Sequence, residues 1–400
     1  MDLSFTEDEL AFRDEVRAFL RSAVAADIRE KLIAGRQPSK NDKLRWTKIL
    51  AEKGWSVPHW PVEYGGTDWS PVKQYIFAEE IGQTPAPEPA GSGYDLGGPV
   101  IYTFGSEAQK KRFLPRIATL EDWWAQGFSE PGAGSDLAAL STRAVRDGDH
   151  YIVNGQKTWT TGAQYADWIF CLVRTDPTAK KKQQGISFML IDLKSPGVTV
   201  RPIELIDGGY EVCEVFFQDV RVPAENLVGE ENRGWDYAKF LLGNERYNIT
   251  YVGISKLRMG RIKELAARTR VGGERLIDQA DFRKRVASIE VQLKALEMTQ
   301  LRVVSNRSKR QKGTADPAGS ILKIKGSEIQ QAIAELLLDV VGPYALPYQS
   351  DEEIERKEPP IGPDWAAPIA PAYFNVRKVP IYGGSDEIQK NIIAKVILGL

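Results

Sequence analysis

The sequence predicts an α+β chain in three stretches: a helical N-terminal domain, a middle β-barrel or sandwich domain, and a C-terminal helical domain. Three observations predict it. From the start to about residue 120, apolar residues recur at helical spacing. Between about residues 123 and 232, short β-rich runs alternate with turn residues. From about residue 233 the helical period returns in long segments. The expected boundaries are 1–122, 123–232 and 233–400.

Thr6 and Glu9 stand at capping-box spacing, and Phe12, Val16, Phe19 and Leu20 follow at helical intervals. WPVEYGGTDWS, residues 60–70, reads as a Pro/Gly loop between helices. GSEAQKKRFLPRIA reads as another capped helix, with Pro115 near its end or kinking it. In the middle stretch, Tyr151 to Trp159 reads as a hairpin turning at Asn154-Gly155. DWIFCLVRTD, GISFMLIDL, GVTVRPIEL and EVCEVFFQDVRV are further strand candidates. The C-terminal helices are expected at roughly 233–270, 279–311, 317–341 and 385–400. The Pro-rich segment between the last two is too long for a simple connector, and reads equally as a surface loop or a lid.

With 400 residues there is enough chain for two or three packed units. An apolar share of 42%, a charged share of 27% and a formal net charge of -1 describe an ordinary globular surface. No basic block offers a footprint for nucleic acid or an anionic membrane, and no apolar run is long enough to span a bilayer. The acidic start and two cysteines, Cys171 and Cys213, predict a cytoplasmic protein without a disulfide framework. His59 and His150 are the only histidines, and HExxH, CxxC, the Walker loop and GxGxxG are missing. A His-ligated metal and a Ser-His relay are therefore not expected. Carboxylates, backbone groups and an organic cofactor are left to carry any chemistry.

Four stretches have the residue types for it. In WWAQGFSEPGAGSDLAAL, residues 123–140, Pro131, Gly132 and Gly134 force a turn. Such a turn can expose N–H groups to a phosphate, while Ser135-Asp136 can cap a helix. Trp123, Trp124 and Phe128 beside it, with Trp159 and Thr161 beyond, suit either an aromatic core or a flat ring system. In the second stretch Leu241, Glu245, Ile249 and Val252 are spaced to share a helical face, which puts a carboxylate on an apolar stripe. That describes an ion pair with Arg246 or a distant cation, an edge position in contact with water, or a general base. In the third, Arg268 and Arg270, followed by Gln279, complement a helix end or bind phosphate. In the fourth, KVPIYGGSDEIQKNII, Gly383-Gly384 lets the backbone approach something closely. Asp386 and Glu387 fall in the first turn of a following helix, where negative charge suits the dipole.

Taken together, WPVEYGG, GSEAQKKRFLP, GFSEPGAGSD, YIVNGQKTWTTGA, VPAENLVGEENRGW, NERY and IYGGSDEIQKNII, in this order, resemble the acyl-CoA dehydrogenase flavoproteins over nearly the whole chain. The resemblance implies a helical domain, a middle β domain and a C-terminal four-helix bundle. It implies FAD as cofactor, with Gln126, Phe128 and Ser129 along the flavin ring and Gly134 and Ser135 near the pyrophosphate or CoA phosphates. Trp159 and Thr161 would pack on the flavin. Arg268 and Gln279 would reach the FAD of a neighbouring subunit, and Ser385 and Glu387 belong to the same cofactor set. Substrate contacts would come from Ser135, Arg246, Tyr382, Gly383 and Gly384.

Many members carry a catalytic Glu directly after the Ile-Tyr of the last motif, where this chain has Gly383. A smaller set, similar to isovaleryl- and long-chain acyl-CoA dehydrogenases, places it before an Arg on a helix, and Glu245-Arg246 matches that arrangement. The implied reaction is α,β-dehydrogenation of an acyl-CoA: Glu245 takes the α-proton, flavin N5 takes the β-hydride, and the Gly383 N–H supports the thioester oxygen. A bulky, branched or dicarboxylic acyl group is expected. The implied partners are an electron-transfer flavoprotein and further subunits, as a homotetramer or dimer, or a heterotetramer with a second dehydrogenase chain like those acting on steroid side chains or pimeloyl-CoA. A flavin oxidase or monooxygenase on the same scaffold is the alternative. Departures fall at Val271, Asp339 and Gly342-Pro343, on the adenosine side of FAD, and in the length of segment 349–371.

Overall fold

The structure, a computed structural model, describes residues 4–89, 91–245, 250–307, 318–350 and 358–400, and only the main chain of 242–245 and 307. It opens with α1 (Glu7–Ala23), whose Thr6–Glu9 capping box is formed in both directions. Phe12, Val16 and Leu20 turn inward from it, as their spacing requires. They meet Trp46 and Leu50 of α3 (Lys40–Glu52) and Ile76, Phe77 and Ile81 of α4 (Pro71–Gly82). Between α1 and α3 lies α2 (Ala26–Ile33), and α5 (Gly98–Phe104) and α6 (Glu107–Ala118) complete this region. Pro115 sits inside α6 without ending it.

The middle region is one seven-stranded curled sheet. Its strands are β1 (Trp124–Gly127), β2 (Arg143–Asp147), β3 (His150–Thr161), β4 (Trp168–Arg174), β5 (Ile186–Asp192), β6 (Val198–Ile203) and β7 (Val212–Pro223), in the order β1-β4-β2-β3-β7-β6 with β5 beside β4. The four strand candidates all form. The hairpin does not turn at Asn154-Gly155. That pair lies inside the single twelve-residue strand β3, at a shift in its register with β7. The turn falls one segment earlier, between β2 and β3, at Gly148 with φ +61°. Asn-Gly serves a β-bulge here because a Cβ at Gly155 would lie 2.5 Å from Thr142 Oγ1 and 2.6 Å from Thr142 Cα.

The C-terminal region departs from the expected long helix over 233–270. It contains α7 (Gly234–Glu245) and a separate α8 (Val252–Arg268), which starts after Tyr251 in the left-handed region at φ +50°. Leu241 and Val252 are both buried, but they no longer lie on one continuous face. A two-stranded hairpin, β8 (Arg270–Val271) and β9 (Glu274–Arg275), leads to α9 (Ala280–Arg307) and α10 (Ala318–Val341). The Pro-rich stretch then contains α11 (Ile369–Val376), where Ala366 and Ile369 pack on Val341 of α10; residues 351–357 lie outside the described residues. The last helix, α12 (Asp386–Ile392), is shorter than the expected 385–400 and passes into a π-helical turn at Ile393–Ile397. Among the described residues, no helix is long and apolar enough to cross a membrane.

Gly155→Ala tests the bulge. The new methyl has no room and the residue's φ is +150°. The expected loss is about 1–3 kcal/mol, measured as a lower urea midpoint; an unchanged midpoint would remove the close-approach argument.

Candidate active site

One wall of the site is the loop after β1, and a buried ion pair holds it. Glu130 accepts hydrogen bonds from Lys157 Nζ at 2.8 Å, Ser141 N at 2.7 Å, Ser141 Oγ at 2.8 Å and Thr142 N at 2.9 Å. Lys157, fully buried on β3, also donates to Phe128 O at 3.1 Å. Burial works to raise the Glu130 carboxyl, but the Lys157 charge and these hydrogen bonds outweigh it and hold the pKa at about 2. The Thr158 N–H donates to Ser129 O at 2.9 Å, so loop and strand are joined by backbone as well.

The clamp decides what stays open. Gly132 and Gly134 have no neighbour near a would-be Cβ, and Ser135 is exposed. Asp136 precedes a 3-10 turn, Leu137–Ala139, and its side chain makes no cap bond, so the expected helix cap at Ser135-Asp136 is not formed. Gln126 and Ser129 are half-buried. Trp159 is 60% exposed, and its φ of +58° is a strained conformation for a large side chain. It lies at the second register shift of β3, with Thr161 exposed beyond it. The other aromatics of this motif belong to the core. Trp124 stacks on Trp168 at 5.6 Å, Trp123 is buried, and the Phe128 ring meets Phe170 and Phe188 edge-on. Phe128 therefore has only its main chain to offer a ligand.

A second candidate element is the Tyr382-Gly383-Gly384 turn. Gly383 and Gly384 have φ of +63° and +84°, a region that favours glycine. Gln389 Nε2 donates to Gly383 O at 3.4 Å and to Gly384 O at 3.1 Å. The Asp386 N–H donates to Pro380 O at 2.9 Å, and the Asp386 carboxylate takes Lys323 Nζ at 2.9 Å. Lys323 is wholly buried on α10. Ser385 caps α12 through Ile388 N at 3.4 Å, and Glu387 stands exposed in the first turn. The Gly383 N–H donates to no acceptor among the described residues.

Glu245 is the last residue of α7; its side chain, with Arg246 and Ile249, lies outside the described residues. Arg268 is exposed and pairs with Glu264 at 2.7 Å. Gln279 Nε2 donates to Val271 O at 3.1 Å, tying the β8–β9 hairpin to the start of α9. No hydrogen bond or ion pair among the described residues joins that hairpin to the β1–β3 face. Asp339 is engaged by Arg285. The sequence reading missed Glu130, Lys157 and Lys323. Each had a signal of a sort: a charged residue inside an otherwise inward-facing run.

Three family models cover the chain: the acyl-CoA dehydrogenase N-terminal domain over residues 6–121, the middle domain over 125–220 and the C-terminal domain over 232–398. The chain belongs to the acyl-CoA dehydrogenase family. It is 34% identical to the acyl-CoA dehydrogenase IpdE1 of Mycobacterium tuberculosis, with 98% of each chain covered. It is 29% identical to the pig mitochondrial long-chain specific acyl-CoA dehydrogenase, covering 98% of this chain and 87% of that one. Among solved structures it is similar to a chain of the ChsE4-ChsE5 complex from Mycobacterium tuberculosis, at 32% identity and TM-score 0.83 over 100% of this chain and 99% of that one. The Tcur3481-Tcur3483 steroid acyl-CoA dehydrogenase aligns at 28% identity and TM-score 0.84, over 100% and 99%.

The family is FAD-dependent, and this chain's open face suits the group. Gln126, Ser129, Trp159 and Thr161 are accessible together, the Thr160 Oγ1 is buried without a protein partner, and Gly132 and Gly134 leave free space before the backbone. Among the described residues, no cluster of His, Cys, Asp and Glu could hold a metal ion.

Removing the Glu130 charge tests the clamp. Glu130→Gln leaves Lys157 buried without its counter-ion, a loss of about 3–5 kcal/mol in unfolding free energy. The sign with pH follows from a folded pKa of about 2, below the unfolded value of about 4.3. The pair's contribution is complete above the unfolded value and disappears as pH falls through the folded one. Denaturant melts between pH 6 and 2 should show that decline in the wild type and not in Glu130→Gln.

Proposed function

We propose that the enzyme removes the α and β hydrogens of an acyl-CoA thioester, with Glu245 as the base. The observation that carries this reading is the Tyr382-Gly383-Gly384 turn. It presents an unclaimed Gly383 N–H, while both nearby carboxylates have other work: Asp386 holds Lys323 and Glu387 faces solvent at a helix start. A base must then come from another element, and α7 ends at Glu245. A free Glu has a pKa of about 4.3; desolvation by a bound acyl chain would raise it toward a working range. The Gly383 N–H would donate to the thioester oxygen as charge develops there. Trp159, Thr161, Gln126 and Ser129 would hold FAD, with Ser135 and Gly134 on its phosphate side. FAD, when bound, supplies the two-electron acceptor. Electrons would then pass to an electron-transfer flavoprotein.

Glu245→Gln should bind FAD normally, and its yellow absorbance should bleach with substrate at least about 100-fold more slowly than in the wild type. Bleaching at the wild-type rate would reject Glu245. Gly383→Glu should not rescue it, because a side chain at φ +63° is strained and enters the space before the turn.

The substrate reading is a bulky acyl group, since the solved relatives include one titled a steroid enzyme. Assembly with a second, unlike dehydrogenase chain is a second reading, favoured by the paired chains named in both solved relatives. Full FAD occupancy and full activity of the chain purified alone would count against it.

A further inference from the structure

The turn before α12 is held from inside by one side chain. Gln389 is 1% exposed, and its Nε2 donates to Gly383 O at 3.4 Å and to Gly384 O at 3.1 Å. Among the described residues, no other hydrogen bond reaches either carbonyl. The Asp386 N–H closes the turn on Pro380 O at 2.9 Å, and Lys323 takes the Asp386 carboxylate at 2.9 Å, but both bonds lie beyond the two glycine peptides. Gln389 and Gly384 also interlock. A Cβ at Gly384 would lie 2.4 Å from Gln389 Nε2, and the φ of +84° is one that favours glycine.

Peptide geometry carries this hold to the far side of the turn. Among the described residues no peptide bond is cis. In a trans peptide the C=O and the following N–H point in opposite directions. With the Gly383 and Gly384 carbonyls drawn toward the buried Gln389, the N–H groups of Gly384 and Ser385 point away from it. Neither donates to an acceptor among the described residues, and Gly384 itself is exposed, so they face the open side. The amide is costly where it stands. Gln389 Oε1 is buried with no hydrogen-bond partner among the described residues. Turning the amide over would set that oxygen against two carbonyls, acceptor against acceptor, so the network itself assigns the orientation. An apolar side chain of similar size would avoid the orphaned oxygen. It would also give up the donor that fixes the two glycine peptides.

We propose that Gln389 is a positioning residue for the dehydrogenation: by drawing both glycine carbonyls inward it aims the Gly384 N–H outward, so that the thioester oxygen meets two backbone donors, Gly383 and Gly384, instead of one. Two glycines without that hold would sample many conformations. A donor lowers the cost of a developing oxyanion only when it is aimed in advance. The inference rests on the dehydrogenase reading, because it needs the thioester at this turn.

The test follows flavin bleaching in the FAD-loaded enzyme, using whichever of octanoyl-CoA, isovaleryl-CoA and a steroid side-chain acyl-CoA bleaches the wild type fastest. Gln389→Leu should fold and hold FAD as the wild type does, while its limiting bleaching rate falls about ten- to a hundred-fold and the half-saturating concentration changes less than about three-fold. That split marks a donor used in the transition state and not in ground-state binding. Gly384→Ala should lose the limiting rate in the same way. The double variant should be about as slow as the slower single one, because both changes remove one contact. If Gln389→Leu does not fold, Gln389→Glu is read in its place: it keeps the shape, offers at most one donor to two carbonyls, and should also be slow. A limiting rate within about two-fold of the wild type in the folded Gln389 variant, or a loss that lies wholly in half-saturation, would overturn the inference and leave the dehydrogenase reading standing. Losses that multiply in the double variant would do the same. If no thioester bleaches the wild type, both fall.

Discussion

The Glu130–Lys157 pair is the constraint on which the site is built. Bringing both charges out of water is costly, and the cost is met only because the carboxylate takes four hydrogen bonds and the ammonium two acceptors. The same contacts fix geometry. They hold the loop after β1 against β3 at its middle, so its tip must project. Trp159 follows Lys157 by two residues, beyond the backbone bond from Thr158 to Ser129. The strained tryptophan and the open Gly-Ala-Gly loop are two ends of one clamp. Strain at Trp159 is tolerable because β3 is paired with β7 both before it, at Lys157, and after it, at Thr160.

A second buried lysine repeats the device in the C-terminal region. Lys323 enters from the middle of α10 and takes Asp386 at the start of α12. Two glycines alone would leave the preceding turn with many conformations. The ion pair, the Gln389 amide and the Asp386–Pro380 bond reduce these to one. Among the described residues, the Gly383 and Gly384 N–H groups at the turn's apex have no protein acceptor. In both places a charge is spent inside the protein to aim backbone groups outward, so neither pair is itself a candidate for proton transfer.

Much of this was legible in the sequence where a rule is local. Capping boxes at Thr6 and Ser106, the alternating strands of the middle region and the cap-like position of Ser385 depend on neighbours a few residues apart. The errors arose where a distant partner decides. Asn154-Gly155 has the composition of a hairpin turn, but Thr142 and the partner strand β7 make it a bulge. The period from Leu241 to Val252 suggested one helix, and Tyr251 in a left-handed conformation shows a break that periodicity does not report. For Trp124 and Phe128 the sequence leaves an aromatic core and a flat-ring neighbour both open; the packing on Trp168, Phe170 and Phe188 that decides for the core belongs to strands more than thirty residues away in sequence. Lys157 and Lys323 were overlooked because lysine is seldom buried, and a single sequence does not show which carboxylate awaits each.

Glycine at 383 also keeps a further anion out of the surroundings of Tyr382. A carboxylate after Tyr382 would stand in the field of Glu88 and Glu211, which already act on the Tyr382 hydroxyl. A third anion there would be harder to ionise and slower to regenerate as a base. Glycine avoids that conflict and leaves the negative charge near Tyr382 to residues outside the turn.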